Sequence, residues 1–340
     1  MNRFSMKASD FDYHLPEKQI AYHPETERQN SRLLLLNRNN GEINHRNFYE
    51  LPNLLKPGDL LVLNNTKVIP ARLFGKRKSG KVVEILLVHK LGEKIWECLV
   101  KNPKNNEVIE FDHGLRGTLS KNESNDWLIK FEKHVDDYIE LYGKMPLPPY
   151  INREAEESDK ISYQTVYADK KGAIAAPTAG LHFTHELINE IKSAGVEIEY
   201  VTLHVGIGTF KPVKVENIED HKMHGEYREV PECTASAINK AKSEGRRVIA
   251  VGTTVVRTLE SSVNEDGEVV PQSGQTELFI VPGFEFKVVD ALITNFHLPR
   301  STLLMLVSAF SNYEYIFKAY DEAREKGYRF LSYGDAMFIN

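Results

Sequence analysis

Histidines are placed where they could carry out acid–base chemistry. Six of the twelve lie in polar, glycine-bearing segments at the ends of predicted strands, and three of these are His182, His204 and His297. Open α/β sheets bind their ligands at strand ends, and an imidazole can gain or lose a proton near pH 7. The pattern predicts a pocket in which several histidines transfer protons, although a single histidine at a strand end is more often structural.

Small and hydroxyl-bearing residues accompany the histidines. The segment APTAGLHFTHE at 176–186 leads into a predicted helix, whose free backbone N–H groups could hold an anion or a carboxylate. In TLHVGIGTFKPV at 202–213, two glycines let the backbone approach a ligand closely. Candidate binding residues in these and neighbouring segments are Thr178, Gly180, Gly206, Gly208, Glu226, Thr253, Arg257 and Asn295.

A metal site is an alternative use of the same residue type. His182 and His185 are three positions apart, as are His221 and His224, and a metal-dependent hydrolase built on these four is a rival interpretation. The zinc-peptidase pattern H-E-x-x-H is absent, and no carboxylate–histidine set has a recognised ligand spacing, so we predict no metal. The fingerprints of dinucleotide-binding and phosphate-binding loops are also missing, which disfavours NAD and ATP sites.

A basic cluster stands apart from the histidines. KVIPARLFGKRKSGK at 67–81 holds six cationic residues and no acidic one, in a chain with a net charge of −5 and an isoelectric point of about 6.2. The overall charge argues against indiscriminate nucleic-acid binding, but a local patch could contact phosphates. A solvated hairpin tip is the plain alternative. A non-catalytic RNA-binding module is a second rival function, and it explains the cluster but not the histidines.

The elements that must position these residues are of two kinds. From about 67 to 150, short runs such as VVEILLV, IWECLV and WLIKF alternate with turn signals, which predicts an antiparallel β-barrel that ends at the proline-rich MPLPPY. The acidic run at 154–159 is expected to be an exposed loop. Strands and helices alternate afterwards, which indicates a mixed sheet covered by helices. Predicted helix N-caps are Thr184, Thr253 or Thr254, and Ser301.

Length and composition agree with two domains. With 340 residues, 41% hydrophobic and 27% charged, the chain has the composition of an ordinary globular protein. We predict an α/β fold with a large mixed-sheet, barrel-like domain formed by 1–66 and 151–340, and a smaller antiparallel β-barrel domain inserted at 67–150. No apolar stretch approaches the ~20 residues of a membrane span, and no signal-peptide core is present. We therefore expect a cytoplasmic protein.

Long motifs throughout the chain carry a family resemblance. They include PGDLLVLNNTKVIPARLFGKR, MPLPPYI, GAIAAPTAGLHFT, VTLHVGIGTFKPV, VGTTVVRTLES and ITNFHLPRSTLLMLVSAF. With these motifs, and nearly from end to end, the chain resembles the S-adenosylmethionine:tRNA ribosyltransferase-isomerase family of queuosine biosynthesis. The initial MNRFSM falls outside the pattern.

The resemblance implies an enzyme that transfers the ribosyl moiety of S-adenosylmethionine to the aminomethyl-deazaguanine base (preQ1) at the wobble position of certain tRNAs. The sugar is isomerised to an epoxycyclopentane, which gives epoxyqueuosine and releases adenine and methionine. S-adenosylmethionine is consumed as a substrate, and no metal or redox cofactor is implied. The expected partners are S-adenosylmethionine and the tRNA anticodon loop, with no membrane, and the chain is expected to be a monomer.

This chemistry assigns roles to the candidate residues. A proton must leave the ribose carbon beside the sulfonium, adenine must be protonated to depart, and the ammonium of the base must lose a proton before it attacks. We assign these steps jointly to His182, His204 and His297. The sugar and adenine are assigned to Thr178, Gly206, Gly208, Thr209, Thr253 and Asn295. The methionine carboxylate is assigned to Arg257, for which a structural ion pair is the alternative. The tRNA phosphates are assigned to Lys67, Arg72, Lys76 and Arg77.

Overall fold

The secondary structure is described for residues 6–206, 213 and 215–340 of a computed structural model, and these residues form seventeen strands and eight α-helices. The strands are β1 (Arg32–Leu36), β2 (Ile43–Asn47), β3 (Leu60–Asn64), β4 (Thr66–Val68), β5 (Arg72–Arg77), β6 (Val82–Lys90), β7 (Ile95–Val100), β8 (Val108–Phe111), β9 (Arg116–Lys121), β10 (Trp127–Phe131), β11 (Lys170–Ala173), β12 (Glu197–Leu203), β13 (Glu226–Val230), β14 (Val248–Val251), β15 (Gln272–Thr276), β16 (Ala291–Asn295) and β17 (Ala336–Ile339). The helices are α1 (Leu51–Leu54), α2 (Asp136–Tyr142), α3 (Asp159–Ser162), α4 (His185–Ser193), α5 (Glu232–Ser243), α6 (Thr253–Glu260), α7 (Thr302–Phe310) and α8 (Tyr313–Glu325).

Nine strands form the larger sheet, in the order β15-β13-β12-β3-β14-β16-β17-β1-β2 across the described residues. Strand β3 runs parallel to β12 and β14, and β14 runs parallel to β16, whereas β13 and β17 pair antiparallel with their neighbours β12 and β16. The predicted mixed α/β sheet is therefore confirmed, and the first 65 residues join it through β1, β2 and β3. Because β15 and β2 are edge strands, this sheet is open, and barrel closure belongs to the smaller sheet.

Two hydrophobic layers cover the larger sheet, as the alternation along β3 shows. Leu60 and Val62 face a core shared with α5, α6, α7 and α8, whereas Leu61 and Leu63 face a core shared with α1 and α4. All five residues of β3 are buried. A strand that is covered by helices on both faces has a continuous apolar sequence, because side chains on both faces are buried. This is why DLLVLNN does not alternate between apolar and polar residues as a surface strand does.

The smaller sheet is a closed six-stranded antiparallel barrel, in the order β10-β7-β6-β5-β8-β9. Its side chains alternate between the interior and solvent, as in β8, where Val108 is exposed and Ile109 is buried. The barrel lies inside the predicted insert at 67–150, and the bounds of the two domains stay predictions. The turn between β5 and β6 lies at 78–80, within the basic segment 67–81.

The segment after the barrel is tied to the larger unit by a buried carboxylate. Asp159 accepts hydrogen bonds from the Arg153 guanidinium, at 2.7 and 2.8 Å, and from the hydroxyl of Tyr333 at 2.9 Å. Asp159 is 1% exposed, so the expectation of an exposed loop at 154–159 is wrong at its last residue. Arg153 and Tyr333 compensate the loss of hydration that burial of this charge entails.

Two of the three predicted helix N-caps are observed in the structure. Thr184 Oγ1 accepts from the backbone N–H of Leu187 at 3.1 Å, and Ser301 Oγ accepts from that of Leu304 at 3.2 Å. The predicted cap of α6 by a threonine is wrong, because the N-cap is Gly252 with a φ of +92°. Glycine takes this left-handed conformation without the steric cost that a threonine would meet. Within the described residues, no helix has the length and apolar character required to cross a membrane.

Candidate functional site

A cleft lies at the carboxyl ends of β14 and β16. It encloses about 620 Å³ of space, its open mouth included, and it is lined by Thr178, Thr253, Asn295 and His297 among others. Because β14 and β16 are parallel, their carboxyl ends share one edge of the sheet, which is where open α/β sheets bind ligands. Four of the predicted site residues therefore meet in this cleft, called the β16 cleft below.

The turn at Gly252 brings α6 against the β16 cleft. The backbone N–H of Gly252 donates to the carbonyl oxygen of Ile293 at 2.7 Å, which fixes the end of β14 beside β16. Thr253 and Thr254 then begin α6 and line the cleft. Asn64 Nδ2 donates to Thr254 Oγ1 at 3.2 Å, so the helix start is held in place by a buried side chain of β3.

His297 has one ring nitrogen engaged and one free within the described residues. Its Nε2 lies 2.8 Å from Thr294 Oγ1, and its backbone N–H donates to the Tyr320 hydroxyl at 2.9 Å. No residue in the described part of the chain makes a hydrogen bond to Nδ1. Burial lowers the pKa of His297 to about 3, so the ring is neutral at pH 7.

His182 is held by hydrogen bonds at both ring nitrogens. Nδ1 lies 2.7 Å from Ser31 Oγ, and Nε2 lies 3.2 Å from Asn295 Nδ2. The ring stacks on Phe48 with 4.9 Å between ring centroids. Burial, reinforced by two neighbouring arginines, lowers the pKa of His182 to about 3. His182 lines a small cavity behind Asn295 rather than the β16 cleft itself, so it contacts the cleft through Asn295.

His204 lies in a second cleft, between the barrel and the larger sheet. This second cleft is lined by barrel residues such as His89 and Trp96 and encloses about 1830 Å³, its open side included. His204 Nδ1 lies 2.8 Å from Thr66 Oγ1, and burial lowers its pKa. The next residue, Val205, lines the β16 cleft instead. The structure therefore does not bring the three predicted histidines into one pocket.

Glu226 and Arg257 form a buried ion pair. Each is 4% exposed, and Nη1 of Arg257 donates to a carboxylate oxygen of Glu226. The other carboxylate oxygen accepts from the backbone N–H of Gly206 at 2.8 Å. Arg257 Nε donates to the carbonyl oxygen of Leu278 at 3.1 Å, and its Nη2 is buried without a partner in the described part of the chain. Of the two roles considered for Arg257, this geometry favours the structural ion pair.

One of the remaining predicted glycine positions lies away from the β16 cleft. Gly180 is buried and does not line the β16 cleft. A Cβ at this position would lie 2.1 Å from the Tyr167 hydroxyl oxygen. Its role in the structure is close packing. Gly208 and Thr209 lie outside the described residues.

Metal ligands do not cluster in the described part of the chain, where no group of three His, Cys, Asp or Glu side chains could hold an ion. His182 has its nitrogens engaged, and His185 is exposed on α4. The metal-dependent hydrolase therefore has no support in this geometry.

Comparison with known proteins places the chain in a family. A family model described as queuosine biosynthesis protein matches residues 8–339. The S-adenosylmethionine:tRNA ribosyltransferase-isomerase of Carboxydothermus hydrogenoformans is 54% identical over 340 residues, which cover 98% of this chain and 100% of that protein. The enzyme of the same name from Geotalea uraniireducens is 51% identical over 342 residues, with the same two coverages.

A solved structure agrees with these relatives. The crystal structure of the S-adenosylmethionine tRNA ribosyltransferase from Thermotoga maritima is similar with a TM-score of 0.58 and 41% sequence identity, and the match covers 98% of this chain and 100% of that one. This chain belongs to the queuosine biosynthesis protein family.

In this member of the queuosine biosynthesis family, the basic residues predicted to bind RNA are dispersed. Arg72 and Arg77 are tied to carboxylates of the barrel, Glu84 and Glu107 respectively. Lys76 is exposed on the outer face of β5, and Lys67 lies on β4, which pairs with β11. Arg72, Lys76 and Arg77 therefore share one strand, whereas Lys67 lies on another.

Sequence reasoning missed several residues that line the β16 cleft of this queuosine biosynthesis protein. Tyr150 and Ser332 both line it, and their hydroxyl oxygens lie 2.5 Å apart. Tyr150 ends the proline-rich segment at which the barrel was predicted to end, and Ser332 precedes β17 at the far end of the chain. Thr294 and Ser301, by contrast, lie within the same motif as Asn295 and His297 and could have been found from it.

Proposed function

We propose that the chain is an S-adenosylmethionine:tRNA ribosyltransferase-isomerase. The observation that carries the proposal is identity above 50% over essentially the whole length to relatives of that name. In this proposal the ribosyl moiety of S-adenosylmethionine is transferred to the aminomethyl-deazaguanine at the tRNA wobble position and isomerised, which gives epoxyqueuosine, adenine and methionine. S-adenosylmethionine is a consumed substrate, and the proposal includes no metal or redox cofactor.

The nucleoside part of S-adenosylmethionine is proposed to occupy the β16 cleft. Asn295 supports this placement, because its Oδ1 is buried without a hydrogen-bond partner in the described part of the chain while its Nδ2 has three acceptors nearby. A buried acceptor left unsatisfied is costly, and a substrate N–H or O–H would satisfy it. Thr178 and Thr253 also line the cleft and supply hydroxyl groups there. Gly206, Gly208 and Thr209 are kept as proposed contacts on the adjoining segment.

His297 is proposed as the proton acceptor in the β16 cleft. With Nε2 directed at Thr294, its Nδ1 is the nitrogen available to take a proton from the carbon beside the sulfonium. His182 is proposed to position Asn295 rather than to transfer protons, because both of its nitrogens are engaged.

His204 and the ion pair receive separate proposed roles. His204 keeps its proposed role, acceptance of the proton of the RNA base's ammonium, and it lies in the second cleft between the larger sheet and the barrel. Glu226 and Arg257 are proposed to hold α6 and the backbone of Gly206 in place, instead of binding the methionine carboxylate. The protein is proposed to be cytoplasmic and to act as a monomer.

The experiment that tests the function follows two products at once. Purified protein is incubated with S-adenosylmethionine and an anticodon stem-loop that carries the aminomethyl-deazaguanine, while adenine release and RNA mass are measured. We expect one adenine released for each ribosyl-derived mass increase on the RNA. The matched control uses S-adenosylhomocysteine, which lacks the sulfonium that acidifies the ribose proton. Unchanged RNA mass with no adenine, from protein shown to be folded, would overturn the proposal.

A further inference from the structure

A lysine-rich groove runs along the outside of the barrel. It follows β6 past Val82 and Glu84, and it lies between the β5–β6 turn and the loop that joins β7 to β8. With its open side included, it encloses about 2270 Å³. Four exposed lysines line it, two from each of these connections: Lys78, Lys81, Lys101 and Lys104. They are called the groove lysines below.

The carboxylates of this groove are already neutralised. Arg72 Nε lies 3.2 Å from a carboxylate oxygen of Glu84, and Arg77 forms an ion pair with Glu107 that is mostly buried. Arg77 also donates to the carbonyl oxygen of Lys101 at 2.7 Å, which fixes the loop that carries two of the groove lysines. No ion pair in the described part of the chain includes a groove lysine. The groove therefore has a net positive charge that no side chain of the described residues offsets.

The second cleft of the barrel differs in this respect. Each of its lysines has a carboxylate partner: Lys90 pairs with Asp136, Lys170 with Glu229 and Lys171 with Glu140. A polyanion that entered the second cleft would compete with these pairs, whereas in the groove it would meet four uncommitted ammonium groups. Charge complementarity therefore favours the groove as the site for phosphates.

The groove and the β16 cleft are lined by consecutive residues of one segment. Pro149 lines the groove, and the next residue, Tyr150, lines the β16 cleft. The connection is fixed at both ends, because Arg72 Nη2 donates to the carbonyl oxygen of Leu147 at 3.2 Å and the Tyr150 hydroxyl contacts Ser332. This fixed segment thus joins a wall of the groove to a wall of the β16 cleft.

We propose that the groove lysines bind the phosphate backbone of the substrate RNA and guide the anticodon strand past Pro149 to the β16 cleft. The inference rests on the proposed function for the identity of the RNA. Lysine binds phosphate as a point charge without a fixed geometry, which suits a backbone track that reads no sequence. Arg72 and Arg77 then act as supports that hold the walls of the groove, and the phosphates are bound by lysines outside the four residues assigned from sequence.

The test compares two groove variants with a matched control in the full-length protein. The groove variants are Lys78→Glu/Lys81→Glu and Lys101→Glu/Lys104→Glu. The control is Lys130→Glu/Lys133→Glu, which changes the net charge by the same amount at exposed barrel lysines outside the groove. For each, the affinity for a fluorescently labelled anticodon stem-loop is measured by anisotropy across a salt series, S-adenosylmethionine binding by calorimetry, and folding by circular dichroism.

We expect each groove variant to bind the stem-loop at least tenfold more weakly than the control, with S-adenosylmethionine binding unchanged. The slope of log affinity against log salt should fall by about 0.7–0.9 for each phosphate that the variant no longer neutralises. The inference is overturned if groove and control variants all bind the stem-loop as tightly as the wild type. It is also overturned if all of them bind equally more weakly than the wild type, because the change in net charge alone would then explain the loss. If wild-type protein released no adenine yet bound the stem-loop through the groove lysines, the proposed function would be wrong. The inference that the groove lysines bind the RNA backbone would still hold.

Discussion

The side-chain amide of Asn295 donates a hydrogen bond to Nε2 of His182 over 3.2 Å. The same nitrogen also faces the carbonyl oxygens of Leu331 and Asp335, at 3.2 and 3.4 Å. Exchange of the amide oxygen and nitrogen would bring Oδ1 against these two carbonyl oxygens, so the orientation of the amide is determined. His182 therefore accepts at Nε2 and donates at Nδ1 to Ser31, and Oδ1 of Asn295 is left as an acceptor.

This relationship predicts that His182 acts through Asn295. His182→Phe keeps an aromatic ring against Phe48 but removes both hydrogen bonds, so we expect kcat to fall. Asn295→Ala removes the acceptor itself, and the double variant should be little worse than Asn295→Ala alone, because residues that act through one another are not additive. Steady-state adenine release measures all three. The dependence of kcat on pH should keep its shape in His182→Phe, since His182 is neutral between pH 5 and 8. Additive losses of kcat in the double variant would contradict the assignment, and so would the loss of one limb of the pH profile.

His297 is expected to affect the chemical step rather than binding. His297→Phe removes the neutral nitrogen proposed to accept a proton, so kcat for adenine release should fall by on the order of 10²–10⁴-fold. The dissociation constant of S-adenosylmethionine, measured by calorimetry, should change by less than about threefold. The reason is that the substitution removes a group needed in the transition state and not a contact that binds the substrate beforehand. His134→Phe, at an exposed position on the barrel, is the control and should match the wild type. Weaker substrate binding with unchanged kcat would assign His297 to binding instead.

The two buried histidines predict that acid destabilises the fold. Burial lowers their pKa values to about 3, whereas in the unfolded chain they return to the usual range near 6.5. Between these values the unfolded state binds more protons, so stability is present above about pH 6.5 and is lost as the pH falls. Each histidine contributes a slope of up to about 1.4 kcal/mol per pH unit. Urea unfolding at pH 7, 6 and 5 gives the free energy of unfolding at each pH. This free energy should change less steeply with pH in His182→Phe/His297→Phe than in the wild type, and equal slopes would contradict the prediction.

Local signals in the sequence were enough to predict much of the fold. Strands β7 and β10 have the predicted bounds, because each is a short apolar run between clear turn signals. The predicted meeting of Asn295 and Thr253 also follows from a general rule, since both follow parallel neighbouring strands whose carboxyl ends share an edge. Residues placed by such local or topological rules were found correctly.

Residues placed by long-range contacts could not be found in this way. His204 and Val205 are adjacent in sequence, but successive side chains of extended backbone point to opposite faces, so one lines the second cleft and the other the β16 cleft. The ion pair of Arg77 with Glu107 joins positions thirty residues apart. Only the closure of the barrel brings them together, and no pattern within 67–81 reveals the partner.

Gly180 provides a test of packing at a predicted binding residue. A Cβ at this position would lie 2.1 Å from the Tyr167 hydroxyl oxygen and 2.8 Å from Thr165 Cγ2. Gly180→Ala should therefore lower the free energy of unfolding by about 1–3 kcal/mol through overpacking. Gly92→Ala is the control, because no atom lies within 4 Å of the Cβ it would gain, and it should change stability by less than about 0.5 kcal/mol. Urea unfolding measures both, and equal stabilities would show that the Tyr167 side chain moves away freely.

The Glu226–Arg257 pair predicts a large loss of stability when its carboxylate is removed. Glu226→Ala leaves the Arg257 guanidinium buried without its counter-charge and the N–H of Gly206 without its acceptor. Removing one partner of a buried ion pair costs about 3–5 kcal/mol, so urea unfolding should show a loss of that size. Glu157→Ala is the control: its ion pair with Lys160 is on the surface, and such pairs contribute at most about 1 kcal/mol.

Replacing both members of the pair separates a structural role from substrate binding. Glu226→Leu/Arg257→Met puts apolar side chains of similar size into the same buried space, which often restores the stability that a single replacement loses. We expect this variant to fold and to bind S-adenosylmethionine within about threefold of the wild type, because Arg257 Nη1 is held by Glu226 and Nη2 is buried. Calorimetry on the folded variant decides the matter. If its affinity fell by tenfold or more, Arg257 would be the partner of the methionine carboxylate, which is the first of the two roles considered for it.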